Sequence, residues 1–188
     1  MGEDEQAAEC FYTLDANDRI VDYGGPAWSA FARDNGDPEL GLRELRGESI
    51  YAHVAGHFTQ RFLREFFIAG RAAKAPLTRA YRCDSPRVKR QMEMRACVEE
   101  NGRLRIEHRL VNETAMAVEV APQQSPAPIR VDFSRCSICN RLRRRGAADW
   151  QEPDETGAAG LLRVAHTVCQ DCRSGFSAHA PLRPAKLG

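Results

Sequence analysis

Four cysteines fall into two C-x2-C pairs, Cys136 with Cys139 and Cys169 with Cys172. Thiolates are metal ligands, and two intervening residues let one turn aim both sulfurs at the same ion. The pattern predicts a single structural zinc held by all four. Four thiolates complete a tetrahedron and leave no open position for water, so a catalytic zinc is not expected. The same residues would also suit a labile iron–sulfur cluster or a redox-active dithiol pair. No strand-to-helix redox context surrounds either pair. His166 lies three residues before Cys169 and could replace one thiolate. With four cysteines already present, it is expected instead to hydrogen-bond a thiolate or the nearby backbone.

The gap between the pairs is 29 residues and must hold structure of its own. Trp150, Leu161, Leu162 and Val164 are its candidate miniature core. A segment of about 45 residues buries too little apolar surface to stand without a staple. Metal binding can supply roughly 10–16 kcal/mol of apparent folding free energy, with a strong dependence on pH. Arg141, Arg143, Arg144 and Arg145 follow the first pair and are candidate partner-binding residues. They could meet nucleic-acid phosphates, dock a protein, or form a solvated face balanced by Asp149, Glu152, Asp154 and Glu155. No helix of recognition spacing accompanies them, so nucleic acid is not the favoured partner.

Bulk properties agree with a modest role for charge. Residues 1–125 carry 17 Lys+Arg against 20 Asp+Glu, a balance of −3, and residues 126–188 carry 10 against 6, a balance of +4. The total of +1 is too weak to mark a nucleic-acid binder, although a polyanion would meet the C-terminal part first. The chain of 188 residues suggests one ordinary domain plus an appendage. The first nine residues are acidic and lack the apolar run of a signal peptide, and no stretch approaches the roughly 20 apolar residues of a membrane span. A cytoplasmic protein without a membrane partner is expected. Cys10, Cys83 and Cys97 are scattered and read as reduced thiols.

The elements that must position the cysteines can be followed along the chain. Residues 1–9 read as a flexible lead. Two short strands, 11–15 and 19–23, flank the polar turn Ala16-Asn17-Asp18. Gly24-Gly25-Pro26 ends the second strand, and Trp28, Phe31 and Ala32 follow at helical spacing. Short helical turns over 37–55 carry Leu40, Leu42, Leu45 and Ile50. A long helix over 56–73 presents Phe58, Phe62, Leu63, Phe66 and Phe67 as a packing stripe. Three strands follow, over 77–83, 88–98 and 104–111, with alternation that predicts an antiparallel sheet covered on one face. His108 falls on the apolar face and reads as a core or cavity histidine before a cofactor ligand. The whole is an α+β arrangement over 10–120, then a Pro-rich linker over 121–131, a zinc module over 132–178, and a disordered tail over 179–188.

The phrases "FYTLDANDRIVDYGGPAWSAFARDNG" (11–36), "LRGESIY" (45–51) and "YRCDSP" (81–86), with the element order, resemble a PAS domain. The resemblance covers roughly residues 10–114. It implies a five-stranded antiparallel sheet with helices across one face, and service as a sensor or a dimerisation unit beside an output partner. The segment "CSICNRLRRRGAADW" followed by "AHTVCQDC" is similar to a zinc-ligand tail found after PAS domains in some bacterial signalling proteins.

The resemblance also frames the ligand question. A blue-light flavin adduct needs a cysteine where this chain reads "LRGESIYAHVAG", which has none. Some haem-binding members use a histidine of the long helix, which makes His53 and His57 weak haem candidates beside His108. A small organic ligand, or a filled interior, is equally compatible. No phosphate-cradling glycine loop, H-E-x-x-H or G-x-S-x-G is present, so an enzyme is not expected. The sequence thus predicts a non-enzymatic signalling protein. Another signalling protein or a second copy of the chain would be its partner.

Overall fold

The computed structural model describes residues 9–34, 44–124 and 131–174. The flexible lead, the disordered tail, Leu40 and Leu42 lie outside them, apart from Glu9. Strands β1 (Cys10–Leu14) and β2 (Ile20–Gly24) form a hairpin. The Asp15 carboxylate accepts from the N–H groups of Asn17 (2.8 Å) and Arg19 (2.9 Å), and Asp18 takes φ +57°. That is the turn chemistry an Asp-x-Asn-Asp run favours. Helix α1 (Trp28–Asp34) starts two residues after Pro26. A 3-10 turn, Ile50–His53, leads to the long helix α2 (His57–Ala72). Strands β3 (Leu77–Arg82), β4 (Val88–Val98) and β5 (Leu104–Ala115) complete an antiparallel sheet in the order β2-β1-β5-β4-β3.

The alternation read from the sequence sets the covered face. Met94, Ala96, Leu104 and Ile106 point to the same side and are buried with Leu14, Ile20, Phe66 and Phe67. Leu45 and Ile50 close the end of this core. Helix α2 lies close against the sheet because position 70 is glycine. A Cβ there would stand 2.9 Å from the Ala96 Cβ. The stripe on α2 is narrower than its period suggests. Phe62, Phe66 and Phe67 are buried, but Phe58 is 51% exposed on the first turn, beyond the sheet.

A second sheet follows, built from β6 (Val120–Gln124), β7 (Phe133–Cys136), β8 (Leu142–Arg144) and β9 (Gly160–Thr167) in the order β6-β9-β7-β8. Strand β9 runs parallel to both β6 and β7, and β7 pairs antiparallel with β8. A five-residue helix, α3 (Gln170–Ser174), ends the described chain. Two expectations are corrected here. Residues Val120–Gln124 are a strand and not the start of a linker; Pro122 is tolerated because β6 is an edge, where a missing donor need not break a ladder. Residues 125–130 of the expected linker lie outside the described residues, and Val131 belongs to no strand. Leu161 is 68% exposed and does not join the small core, because it alternates with the buried Leu162 and Val164 side of β9. That core is Val120, Phe133, Leu142, Leu162 and Val164.

A third buried cluster joins the two sheets. Phe62 of α2 packs with Cys136, Ile138, Val168 and Cys169. Leu63 and Tyr81 pack against both this cluster and the core of the first sheet.

Candidate metal centre

The first C-x2-C pair sits where β7 ends. The Asn140 N–H donates to the Cys136 carbonyl at 2.9 Å, and Asn140 itself takes φ +57°. Asparagine is one of the few non-glycine residues that accept that conformation, so it closes the turn that aims Cys136 and Cys139 inward. The second pair straddles the end of β9 and the start of α3, where Val168 and Cys169 are buried.

The four Sγ atoms lie within 4.8 Å of one another, and Cys139 and Cys169 are 3.8 Å apart. A tetrahedral ion with metal–sulfur bonds of about 2.3 Å places its ligands ~3.8 Å apart. The cluster is therefore able to coordinate one metal ion. Donors reach Cys136, Cys139 and Cys169. The Cys169 N–H points at Cys136 Sγ (3.4 Å), Arg141 Nε at Cys139 Sγ (3.4 Å), and Arg141 Nη2 at Cys169 Sγ (3.9 Å). Arg141 Nη2 also donates to the Asp171 carboxylate at 2.7 Å, which fixes the guanidinium over the site. Burial opposes the charge on Arg141, yet its hydrogen bonds to Cys139 and Asp171 hold it firmly protonated. Hydrogen bonds from Cys136, Cys169 and Cys172, and then from Arg141, hold the Cys139 thiol far below its ordinary range. The Arg141 guanidinium beside Cys139 favours the thiolate form that a metal site needs.

Compared with family models, curated proteins and solved structures, the chain matches none.

The other candidates scatter. Arg143 stacks over Trp150 (5.0 Å), and Arg144 covers Phe133 (4.8 Å) while reaching the Thr156 carbonyl (3.3 Å). Arg145 is exposed, and its N–H donates to the Asp132 carbonyl. The four arginines therefore do not form one common face. Trp150 is half-buried against the cysteine cluster. His166 bonds no thiolate. Its Nδ1 meets the Ser137 hydroxyl at 3.3 Å, and burial, then Arg135, pushes its pKa down to about 4. His53 pairs with Glu48 (2.9 Å). His57 is exposed at the start of α2 against the edge of Phe58. His108 Nδ1 meets the Tyr81 hydroxyl at 2.8 Å, and burial pushes its pKa down to about 4. The structure brings no two of these histidines together.

Three residues around the site escaped the sequence reading. Arg79 on β3 is buried and donates to the Cys172 carbonyl at 2.8 Å. Thr59 of α2 donates its hydroxyl to the Ser137 hydroxyl at 2.7 Å. Asn140 Nδ2 reaches the Arg82 carbonyl at 3.1 Å. Only Arg79 left a signal. It falls between Leu77 and Tyr81 on the inward register of its strand, where a charge needs a partner. No helix among the described residues is long and apolar enough to cross a membrane.

Proposed function

We propose that this chain is a non-enzymatic regulatory protein in which a PAS-like domain is joined to a zinc-stabilised module that contacts a partner protein. The observation that carries the reading is the cluster of four sulfurs within 4.8 Å of one another, with the Cys169 N–H and Arg141 aimed at them. A closed set of four thiolates suits zinc in a structural role, since zinc brings no redox chemistry and no coordination position remains for substrate. The five-stranded antiparallel sheet with α2 across its apolar face agrees with the PAS resemblance. The first module is the sensing or dimerising part of this reading, and the second is the contact part. Nucleic acid is the weaker partner, because Arg141 serves the cluster and Arg143 and Arg144 lie over aromatic rings of their own module. Haem at His53 or His108 is weaker still, since His53 faces the Glu48 carboxylate and His108 meets the Tyr81 hydroxyl.

Native mass spectrometry and an absorption spectrum of the reduced full-length protein test this. One zinc per chain and a colourless solution are expected. Replacing the zinc by Co2+ should give the intense visible bands of a tetrahedral tetrathiolate. Visible absorbance in the protein as purified would turn the reading toward an iron–sulfur centre, haem or flavin.

A further inference from the structure

The second module does not hang from the first. Its two metal knuckles touch α2 and β3 through three separate chemistries. Arg79 of β3 donates to the Cys172 carbonyl (2.8 Å). Phe62 of α2 is buried among Cys136, Ile138, Val168 and Cys169, with the Arg79 guanidinium 5.7 Å from its ring centre. The N–H of Arg82, at the end of β3, donates to the Ile138 carbonyl (2.7 Å), and Thr59 bonds Ser137 (2.7 Å).

The acceptors that meet Arg79, Thr59 and the Arg82 N–H all belong to a knuckle, whereas Glu152 and Asp154, which pair with the Arg82 and Lys89 side chains, lie outside both. Ser137 and Ile138 lie between the first two cysteines, and Cys172 is itself one of the four. The five-residue helix that carries Cys172 is too short to hold its shape by backbone bonds alone, and a metal that ties Cys172 to the first pair would fix it in place. Arg79 is 6% exposed, so losing the Cys172 carbonyl would remove an acceptor from a buried charge. Phe62 would at the same time lose the wall it packs against.

We propose that metal occupancy of the four-cysteine cluster controls the packing of α2 and β3 in the first module. The cluster is then a metal-responsive switch for the whole chain, and withdrawal of the ion by a thiol-rich or chelating competitor is its input. The coupling is reciprocal: whatever repacks α2 and β3 also changes the affinity for the metal by the same factor. This inference rests on the metal reading above, though not on which metal is bound.

Hydrogen exchange of the full chain, with and without chelator, tests the coupling, and native mass spectrometry scores the metal in parallel. Chelation is expected to speed exchange about tenfold or more in residues 57–64 and in β3, besides residues 133–172. Arg79→Met should keep one metal per chain but lose much of the metal-dependent protection of β3. Faster exchange confined to residues 133–172, with 57–64 and β3 as protected as before, would overturn the coupling while leaving the metal reading intact. A native mass without a metal adduct would sink the metal reading, and the coupling with it.

Discussion

Arg141 and His108 illustrate how far single residues carry the chemistry. Arg141 points two nitrogens at the cluster and anchors itself on Asp171. A group that orients and neutralises ligands typically changes metal affinity by about 10–100-fold when removed. Arg141→Ala should weaken metal retention by that factor in competition with a chromophoric chelator, while Arg145→Ala, altering an exposed side chain, should not. His108 makes the second case. It is buried and neutral, with its pKa pushed from 6.5 to about 4. The unfolded chain therefore binds a proton that the folded chain refuses. The stability this gives is fully present above pH ~6.5 and is lost as pH falls through about 4. Its size is about 3 kcal/mol by linkage. The stability of the wild type relative to His108→Gln should fall by that order between pH 7 and pH 4 in chemical denaturation. Equal pH slopes for the two proteins would contradict it.

Helix α2 is the element on which both modules depend, and the aromatic residues of its stripe differ in burial. Phe62 is buried against the cysteine cluster, so Phe62→Ala should cost about 3–5 kcal/mol in urea denaturation. Phe58→Ala, at a half-exposed position, should cost no more than about 1 kcal/mol. Gly70→Ala is the less obvious case. Alanine favours the helix by roughly 1 kcal/mol, but its Cβ would stand 2.9 Å from that of Ala96, and overpacking costs about 1–3 kcal/mol. A net loss of stability is expected. These elements were largely legible in the sequence. Period four along Phe58, Phe62 and Phe66 placed α2 to within a residue at each end, and period two placed β4 over the residues observed. Exposure of Phe58 was not legible, because periodicity says which face is apolar and not where the covering sheet ends. Strand β6 was missed because prolines argue against a strand, and its partner β9 lies about forty residues away in sequence. The cysteine spacing did announce the four-sulfur cluster. The thiolate donors that complete it did not show, since Arg141 looked like one of a basic run.

At the scale of the molecule, the sequence divides the chain at its prolines, whereas the packing closes that division. Leu63 and Tyr81 belong to both adjoining cores, and Arg82 bridges Asp84 and Glu152 while Lys89 reaches Asp154. Domains joined by a small polar interface unfold separately, but apolar side chains shared between two cores couple them into one transition. The chain supplies its own reporters for this. It has two tryptophans, with Trp28 packed on the first core and Trp150 against the cysteine cluster. In Trp150→Phe the tryptophan emission comes from the first module alone, and in Trp28→Phe from the second alone. With metal bound, each variant should lose its tryptophan signal and its far-ultraviolet circular dichroism at one denaturant concentration. Fluorescence that changes well before the circular dichroism in Trp28→Phe would mean that the cysteine module detaches first. The shared core would then be too weak to make the two sheets a single cooperative unit.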